Sequence, residues 1–573
     1  MAENLKKVNG GRLAAEALVE RGVDQVFFIS GGHTYPFHQG LQDLGVNMLA
    51  TRHEQAAVFM AEAWGRMNRK PGVAMVTAGP GFTNALTPIA NARLANSPLL
   101  LISGVVGLHA CEKLDLQDMV QFPVIEPMVK KAFVCQKTER VKEFVDMAWR
   151  ACISGRPGPV YLELPIDVQN AEVSIKDVKE VNTTPEARIV DPDRAVDLIE
   201  MIGNAQKPVV IAGSGAYYSD AGKELVEFIE KTGMPVFTAT QARGVVPDTH
   251  PLCFESSLIV RPGCASHANM NGDLIILLGN RISMYYGCGS MLNPDARFVQ
   301  VDIDPAEIGR NHTIDLPIVS DIRSLLRECN RIIDNKGVSK KYCDRFRPWI
   351  DELSQIDEQM KNLGKINSES DNLPIHPFRL ATEVDRYMDR EDDIVVGDGG
   401  DTQVWTAMAR TVRKEGHFIE SGIYGCLGVG LPYAIAAKLR YPEKRVLNMI
   451  GDGSVGFNFM EFETAIRKKI PIVVVISNDL GWGMIRHSQR IKLGAPLAEG
   501  TEIGKIAYHK FVETMGGFGI AVERPDEIVP ALDRAFASGK PACVNVMTDP
   551  AAIGPGAMAL AMVGGYDIGE FMK

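Results

Sequence analysis

The sequence predicts an α/β protein of three doubly wound parallel-sheet domains, and three observations carry that expectation. Short Val- and Ile-rich runs alternate with amphipathic stretches along nearly all 573 residues. Two polar stretches interrupt the rhythm and leave three units of similar size. An internal echo then relates the first unit to the third. Parallel strands covered by helices on both faces read as almost continuous apolar runs, which is the pattern seen here.

In order along the chain, residues 25–29 (QVFFI), 73–77 (VAMVT) and 99–103 (LLLIS) supply strands of the first unit. Residues 208–212 (PVVIA) and 274–278 (LIILL) belong to the second, and 472–477 (IVVVIS) to the third. The polar breaks fall at residues 170–193 and from 334 to about 376, and both are expected to be linkers. The expected domains are therefore 1–185, 190–345 and 370–573. The echo lies between residues 73–103 and 446–477, each reading as strand, glycine turn, helix, proline and strand. Gly79 precedes Pro98 by 19 positions and Gly451 precedes Pro471 by 20. A duplicated domain with a divergent unit between its copies explains that match.

Composition narrows the function. With 46% hydrophobic and 23% charged residues the chain reads as an ordinary soluble globular protein. Its 61 Lys+Arg against 71 Asp+Glu give a net charge of −10, which argues against nucleic acid and membrane surfaces as partners. The N-terminus lacks an apolar signal core, and the low-polarity stretch 551–565 is short and broken by Pro555. Ten cysteines without a CxxC pair suggest reduced thiols, so a cytoplasmic location is expected.

The most specific signal is Gly451-Asp452-Gly453-Ser454 at a strand end, followed by Asn478-Asp479-Leu480-Gly481-Trp482-Gly483 at the next. A turn of this kind sets an acidic side chain beside backbone N–H groups that suit phosphate oxygens. The carboxylate then needs a cation before an anion can bind beside it. Mg²⁺ meets that need with hard oxygen ligands completed by phosphates, and the second strand end adds oxygens from Asn478, Asp479 and the loop backbone.

This pairing resembles the diphosphate and metal motif of thiamine-diphosphate-dependent enzymes, the acetolactate-synthase-like superfamily. Residues 51–57 (TRHEQAA) with 61–66 (AEAWGR) resemble the glutamate segment of that family's pyrimidine-binding domain, and 77–84 (TAGPGFTN) its next loop. Residues 301–305 (VDIDP) resemble the end of its middle domain. The resemblance thus covers pyrimidine-binding, middle and diphosphate-binding domains in order. It implies thiamine diphosphate and Mg²⁺ as cofactors. Glu54 would face the aminopyrimidine as catalytic carboxyl, and Thr77 and Asn84 would line the cofactor. Gly425 and Leu427, in residues 421–428 (SGIYGCLG), would grip the pyrimidine and bend the cofactor. Gly400, Asp401, Thr402, Gln403, Gly451, Gly453, Ser454, Asn478, Gly481, Trp482 and Gly483 would contact its other parts. Asp452, Asp479 and the Gly481 backbone would hold the metal, although Asp479 stands where the family usually has Asn. A homodimer or homotetramer with the active site between subunits is implied.

The substrate side is read from His33 and Gln117. His33 follows the first strand, where a loop histidine can move protons near neutral pH. Gln117 falls where relatives place a polar group near the reacting carbon. Gly32-His33 with the TRHE and TAGPGF segments is most similar to benzaldehyde lyase, implying carbon–carbon cleavage or ligation of a 2-hydroxy ketone or an aldehyde. Residues 244–251 (GVVPDTHP) and 375–378 (IHPF) resemble 2-hydroxyacyl-CoA lyases. After Arg534, however, only Lys540 and Lys573 are basic, which speaks against CoA. Residues 481–487 (GWGMIRH) resemble acetolactate-synthase-type proteins, so a 2-oxo-acid decarboxylating synthase is the alternative. The turn Gly213-Ser214-Gly215 could bind a flavin or adenine nucleotide, but such turns recur in every Rossmann-like domain, and an empty middle domain is expected.

Overall fold

Three six-stranded, all-parallel sheets organise the chain. The first contains Gln25–Phe28, Asn47–Ala50, Gly72–Val76, Leu99–Val105, Lys131–Val134 and Pro159–Pro165. Numbered by appearance, its strands lie in the order 2-1-3-4-6-5. The third sheet contains Ile394–Gly397, Phe418–Ile419, Val446–Gly451, Val473–Asn478, Phe518–Val522 and Ala542–Met547, and it has the same order. The sequence echo is the third and fourth strands of each sheet, paired in parallel in both. The middle sheet runs 3-2-1-4-5-6 from Pro208–Ala212 to Leu316–Val319, the order typical of dinucleotide-binding folds. The first and third sheets thus share one topology, and the middle sheet has another.

The computed structural model describes residues 7–562, apart from 180, 182, 185, 187 and 255–262. Residues 1–6, the end of the 551–565 stretch and Lys573 lie outside the described residues. Among those described, no helix is long and apolar enough to cross a membrane. All ten cysteines are free and seven are buried.

By compactness the chain forms two units. One is Met1–Glu186 with Ser421–Glu443 and Asn458–Ile470; the other is Ala187–Glu420 with Lys444–Phe457 and Pro471–Lys573. The helix Gly430–Arg440, which follows the second strand of the third sheet in sequence, thus belongs with the first sheet. There Asn91 Nδ2 donates to Tyr433 OH at 3.1 Å and to both oxygens of the fully buried Glu62.

The expected linkers hold more structure than their composition suggested. Residues 334–376 are mostly helix, since Ser339–Ser368 runs 30 residues through Pro348. Tyr342, Phe346, Trp349 and Leu353 recur at helical spacing and are buried, the first two in one hydrophobic core of the middle sheet and the last two in another. Charged residues around this narrow stripe made the segment look like a linker. Within 170–193, Glu172–Ser174 pairs antiparallel with Lys7–Asn9.

Candidate active site

In the first unit the candidate residues stand at the carboxyl ends of strands. Order 2-1-3-4 places the topological switch between the first and third strands, where open α/β sheets gather ligands. Glu54 opens the helix Glu54–Asn68, and the His53 ring accepts from the Gln55 N–H as its cap. Asn84, in the short helix Pro80–Asn84, donates to Glu54 Oε2 at 2.9 Å. A Cβ on Gly81 would stand 3.5 Å from Glu54 Oε1 and 2.8 Å from Thr77 Cγ2, so only glycine brings the loop this close.

His33, Thr77 and Gln117 form a chain. His33 is 9% exposed, and its Nδ1 lies 3.5 Å from Thr77 Oγ1. Thr77 Oγ1 donates to Gln117 Oε1 at 3.3 Å. Gln117 adopts φ +63°, a left-handed conformation that a side chain usually avoids. The residue placed at the cofactor by resemblance, Thr77, thus joins the two residues assigned to the substrate.

Two buried glutamines brace this region, and no local sequence signal marks either. Gln169 Nε2 donates to the His33 carbonyl at 2.7 Å and to that of Leu164 at 2.8 Å. Gln121 Oε1 accepts from the Gly79 N–H at 2.8 Å, while its Nε2 donates to Ser103 and Tyr161. Gly79 needs its φ of +59° to make that turn. Gly425 and Leu427 also lie in this unit; Gly425 is exposed with φ +72°, and Leu427 is half-buried.

The second unit assembles the acidic motif. Asp452, at the end of the third strand of its sheet, is 2% exposed, and its Oδ2 has no hydrogen-bond partner among the described residues. Asp479 ends the fourth strand. Burial pushes both carboxyls up; the Asp479 charge adds to the rise at Asp452, whereas the Arg486 guanidinium and a hydrogen bond with Asp452 partly relieve Asp479. Asp401, at the end of the first strand, is raised to about 7 by burial and by the Asp479 charge, and its Oδ1 is also without a partner. Buried carboxylates side by side call for a cation, and a hard divalent ion suits an unpaired oxygen. Among the described residues no group of three or more His, Cys, Asp or Glu is arranged around a metal position. Two carboxylates and backbone oxygen would have to suffice.

Neighbouring residues shape this cradle. A Cβ on Gly453 would meet the Trp482 ring at 2.7 Å, and one on Gly483 would meet Asp479 Oδ2 at 2.2 Å. Glycine at both positions keeps room that any side chain would close. Ser454 Oγ donates to the buried Asp398 at 2.6 Å, and Gln403 donates to Glu420. Asn478 is committed internally, donating to Asn545 Oδ1 at 3.1 Å and accepting from the Leu480 N–H at 3.2 Å. Thr402 is buried and Gly400 packs against Met484. Gly451 stands where a Cβ would lie 3.3 Å from the Thr402 hydroxyl, and the Gly481 Cα is enclosed by Thr501 and Arg486.

In the middle sheet, Gly213 and Gly215 serve packing. Their N–H groups donate to the Leu278 and Gly279 carbonyls at 2.9 and 3.0 Å. A Cβ on Gly213 would fall 2.5 Å from Gly279 O. These two amides are spent inside the fold.

Known proteins resemble the chain along nearly its whole length. Family models match in order: thiamine pyrophosphate enzyme, N-terminal TPP binding domain, over residues 8–124; central domain over 196–329; and C-terminal TPP binding domain over 398–546. Acetolactate synthase large subunit IlvG of Mycobacterium tuberculosis is 32% identical over 96% of this chain and 97% of that protein. Oxalyl-CoA decarboxylase of Escherichia coli is 30% identical over 96% of the chain and 97% of its own length. 2-Hydroxyacyl-CoA lyase of Arabidopsis thaliana is 28% identical over 95% and 96%. With two TPP-binding domains flanking the central one and relatives aligned almost end to end, the chain belongs to the thiamine-diphosphate-dependent enzymes of the acetolactate-synthase-like superfamily.

Proposed function

We propose that this enzyme is a thiamine-diphosphate- and Mg²⁺-dependent carbon–carbon lyase or carboligase for 2-hydroxy carbonyl compounds, with acyloin chemistry similar to that of benzaldehyde lyase. It would act as a homodimer or homotetramer in the cytoplasm. The supporting observation is the His33–Thr77–Gln117 chain at the strand ends. Bound thiamine diphosphate supplies a carbon nucleophile and an electron sink. Glu54 would hold a proton toward the aminopyrimidine while Asn84 keeps its second oxygen engaged. Asp452, Asp479 and the Gly481 backbone would hold Mg²⁺, and the Gly451–Ser454 and Gly400–Gln403 turns would surround the diphosphate. Gly425 and Leu427 would receive the pyrimidine.

Cleaving a neutral 2-hydroxy ketone requires removal of its hydroxyl proton as the carbon–carbon bond breaks. His33 takes that proton, and Thr77 and Gln117 hold the imidazole and the substrate oxygen in register. Loss of CO₂ from a 2-oxo acid needs no such base, because the carboxylate leaves with its own charge. A positioned acid–base group is worth about 10²–10⁴ in rate. His33→Ala should therefore lower acyloin cleavage by about that factor and spare 2-oxo-acid decarboxylation. The measurement is the ratio of the two activities in both proteins, across panels of acyloins, 2-oxo acids and hydroxyacyl-CoA esters. An equal fall in both activities leaves His33 a pocket-shaping role. The second reading, an acetolactate-synthase-type activity, is favoured by 32% identity to the mycobacterial synthase. Rapid decarboxylation by the wild type with no cleavage of any 2-hydroxy carbonyl compound selects it.

A further inference from the structure

Asp479 does not face Asp452 alone. Arg486, three residues into the helix Gly483–Leu493, folds back beneath the turn that carries Asp479. Its Nη2 donates to the Asp479 carbonyl at 3.2 Å and lies 3.8 Å from the Asp479 carboxylate. Its Nη1 donates to the Pro550 carbonyl at 3.3 Å, which fixes the guanidinium from the other side. Only 11% of the Arg486 side chain is exposed. A Cβ on Gly481 would stand 2.3 Å from Nη2, so the guanidinium occupies the space that the glycine leaves. Arg486 thus touches the turn at Asp479 O, the Asp479 carboxylate and the Gly481 Cα.

The structure assigns Arg486 a role in the cation site: we infer that it positions the Asp479–Gly481 turn and matches the Asp479 charge. This rests on the proposed cation and diphosphate reading and deepens it. The sum of Asp452, Asp479 and Arg486 is about −1, whereas the two acids alone give −2. A divalent cation then leaves the site at about +1, which attracts a diphosphate. Without the guanidinium the sum is zero, and the diphosphate meets no net charge. Asp401 is present in every variant compared below and is left out of these sums.

Thiamine diphosphate binding at saturating Mg²⁺, followed by calorimetry, tests this, with Mn²⁺ binding followed by electron paramagnetic resonance on the same proteins. A unit charge acting through a partly buried site is worth about tenfold or more in affinity. Arg486→Met should weaken thiamine diphosphate by about tenfold or more, while Arg486→Lys stays within about threefold of wild type. Asp479→Asn should shift diphosphate affinity the opposite way and weaken Mn²⁺. The double variant Asp479→Asn/Arg486→Met should return to within about threefold of wild type. The inference is overturned if Arg486→Met binds normally, if Arg486→Lys fails as badly as Arg486→Met, or if the double variant is no better than Arg486→Met. Should Arg486→Met not fold, the sign of the Asp479→Asn shift and the Arg486→Lys result decide alone. A wild-type protein that takes up no thiamine diphosphate sinks the functional reading itself. Uptake that is indifferent to Arg486 sinks only this inference.

Discussion

The first and third sheets share one strand order but carry opposite chemistry at equivalent strand ends. After the first strand stands His33 in one and Asp401 in the other; after the third, Thr77 and Asp452; after the fourth, Gln117 and Asp479. In the first sheet an imidazole, a hydroxyl and an amide bond to each other, and Gln121 and Gln169 tie their backbone down. In the third, three carboxyls share a field, and Asp401 and Asp452 each keep a buried oxygen without a hydrogen-bond partner among the described residues. Duplicated topology therefore fixes where polar groups converge, and the residues placed there decide the task. One end is complete in itself. On the proposed reading the other is completed by a cation and an anion.

The largest expected effect tests the self-contained end. Glu54→Gln keeps the Asn84 contact and the fold but removes the ionisable carboxyl. Turnover should fall by about 10²–10⁴ or more, with the melting temperature and Mg²⁺-dependent cofactor binding nearly unchanged. Near-normal turnover refutes the assignment of Glu54.

The acidic end should show itself in stability without divalent ions. The Asp401 carboxyl is raised to about 7, above its unfolded value of about 3.9, so the folded state binds the proton more tightly. Its contribution is complete below the unfolded value and is lost as pH rises through about 7. In chelator, unfolding free energy should drop by about 2–4 kcal/mol from pH 5 to pH 8 through this group. Asp401→Asn should flatten that slope, as read by denaturant titration at each pH. An unchanged slope in the variant would show that the acids of the third sheet do not behave as an uncompensated cluster.

The smallest effect concerns Thr77. Thr77→Val keeps the shape of the side chain and removes the hydroxyl that links His33 to Gln117. Loss of one hydrogen bond within a positioned pair should lower acyloin cleavage about tenfold, and Thr77→Ser should restore most of it. Equal activity in Val and Ser variants would make the contact incidental, and the contrast between the two sheets would rest on Gln121 and Gln169 alone.

Much of this was legible in the chain. Apolar runs gave the strands, and turn glycines at strand ends marked Gly79, Gly451 and Gly453. Those signals are local: a few neighbouring residues determine them. Bracing residues were not legible, because their partners are remote. Gln169 meets His33 across 136 positions, and Ser454 meets Asp398 across 56. The helix Ser339–Ser368 was hidden for another reason. Its buried stripe is only Tyr342, Phe346, Trp349 and Leu353 along most of its length, and dense surrounding charge reads as a linker.

By itself the sequence determined the three-part α/β plan, the likeness of its first and third parts, and the turns that present Glu54, Asp452 and Asp479. Tertiary structure alone decided that both copies wind as 2-1-3-4-6-5 and that the helix Gly430–Arg440 joins the unit of the first sheet. It alone decided that Thr77 bridges His33 and Gln117, and that Arg486 lies under the Asp479 turn. The physical reason is range. Hydrophobic runs and glycine turns depend on neighbours in sequence, whereas strand order and buried polar pairing depend on which distant surfaces exclude water together.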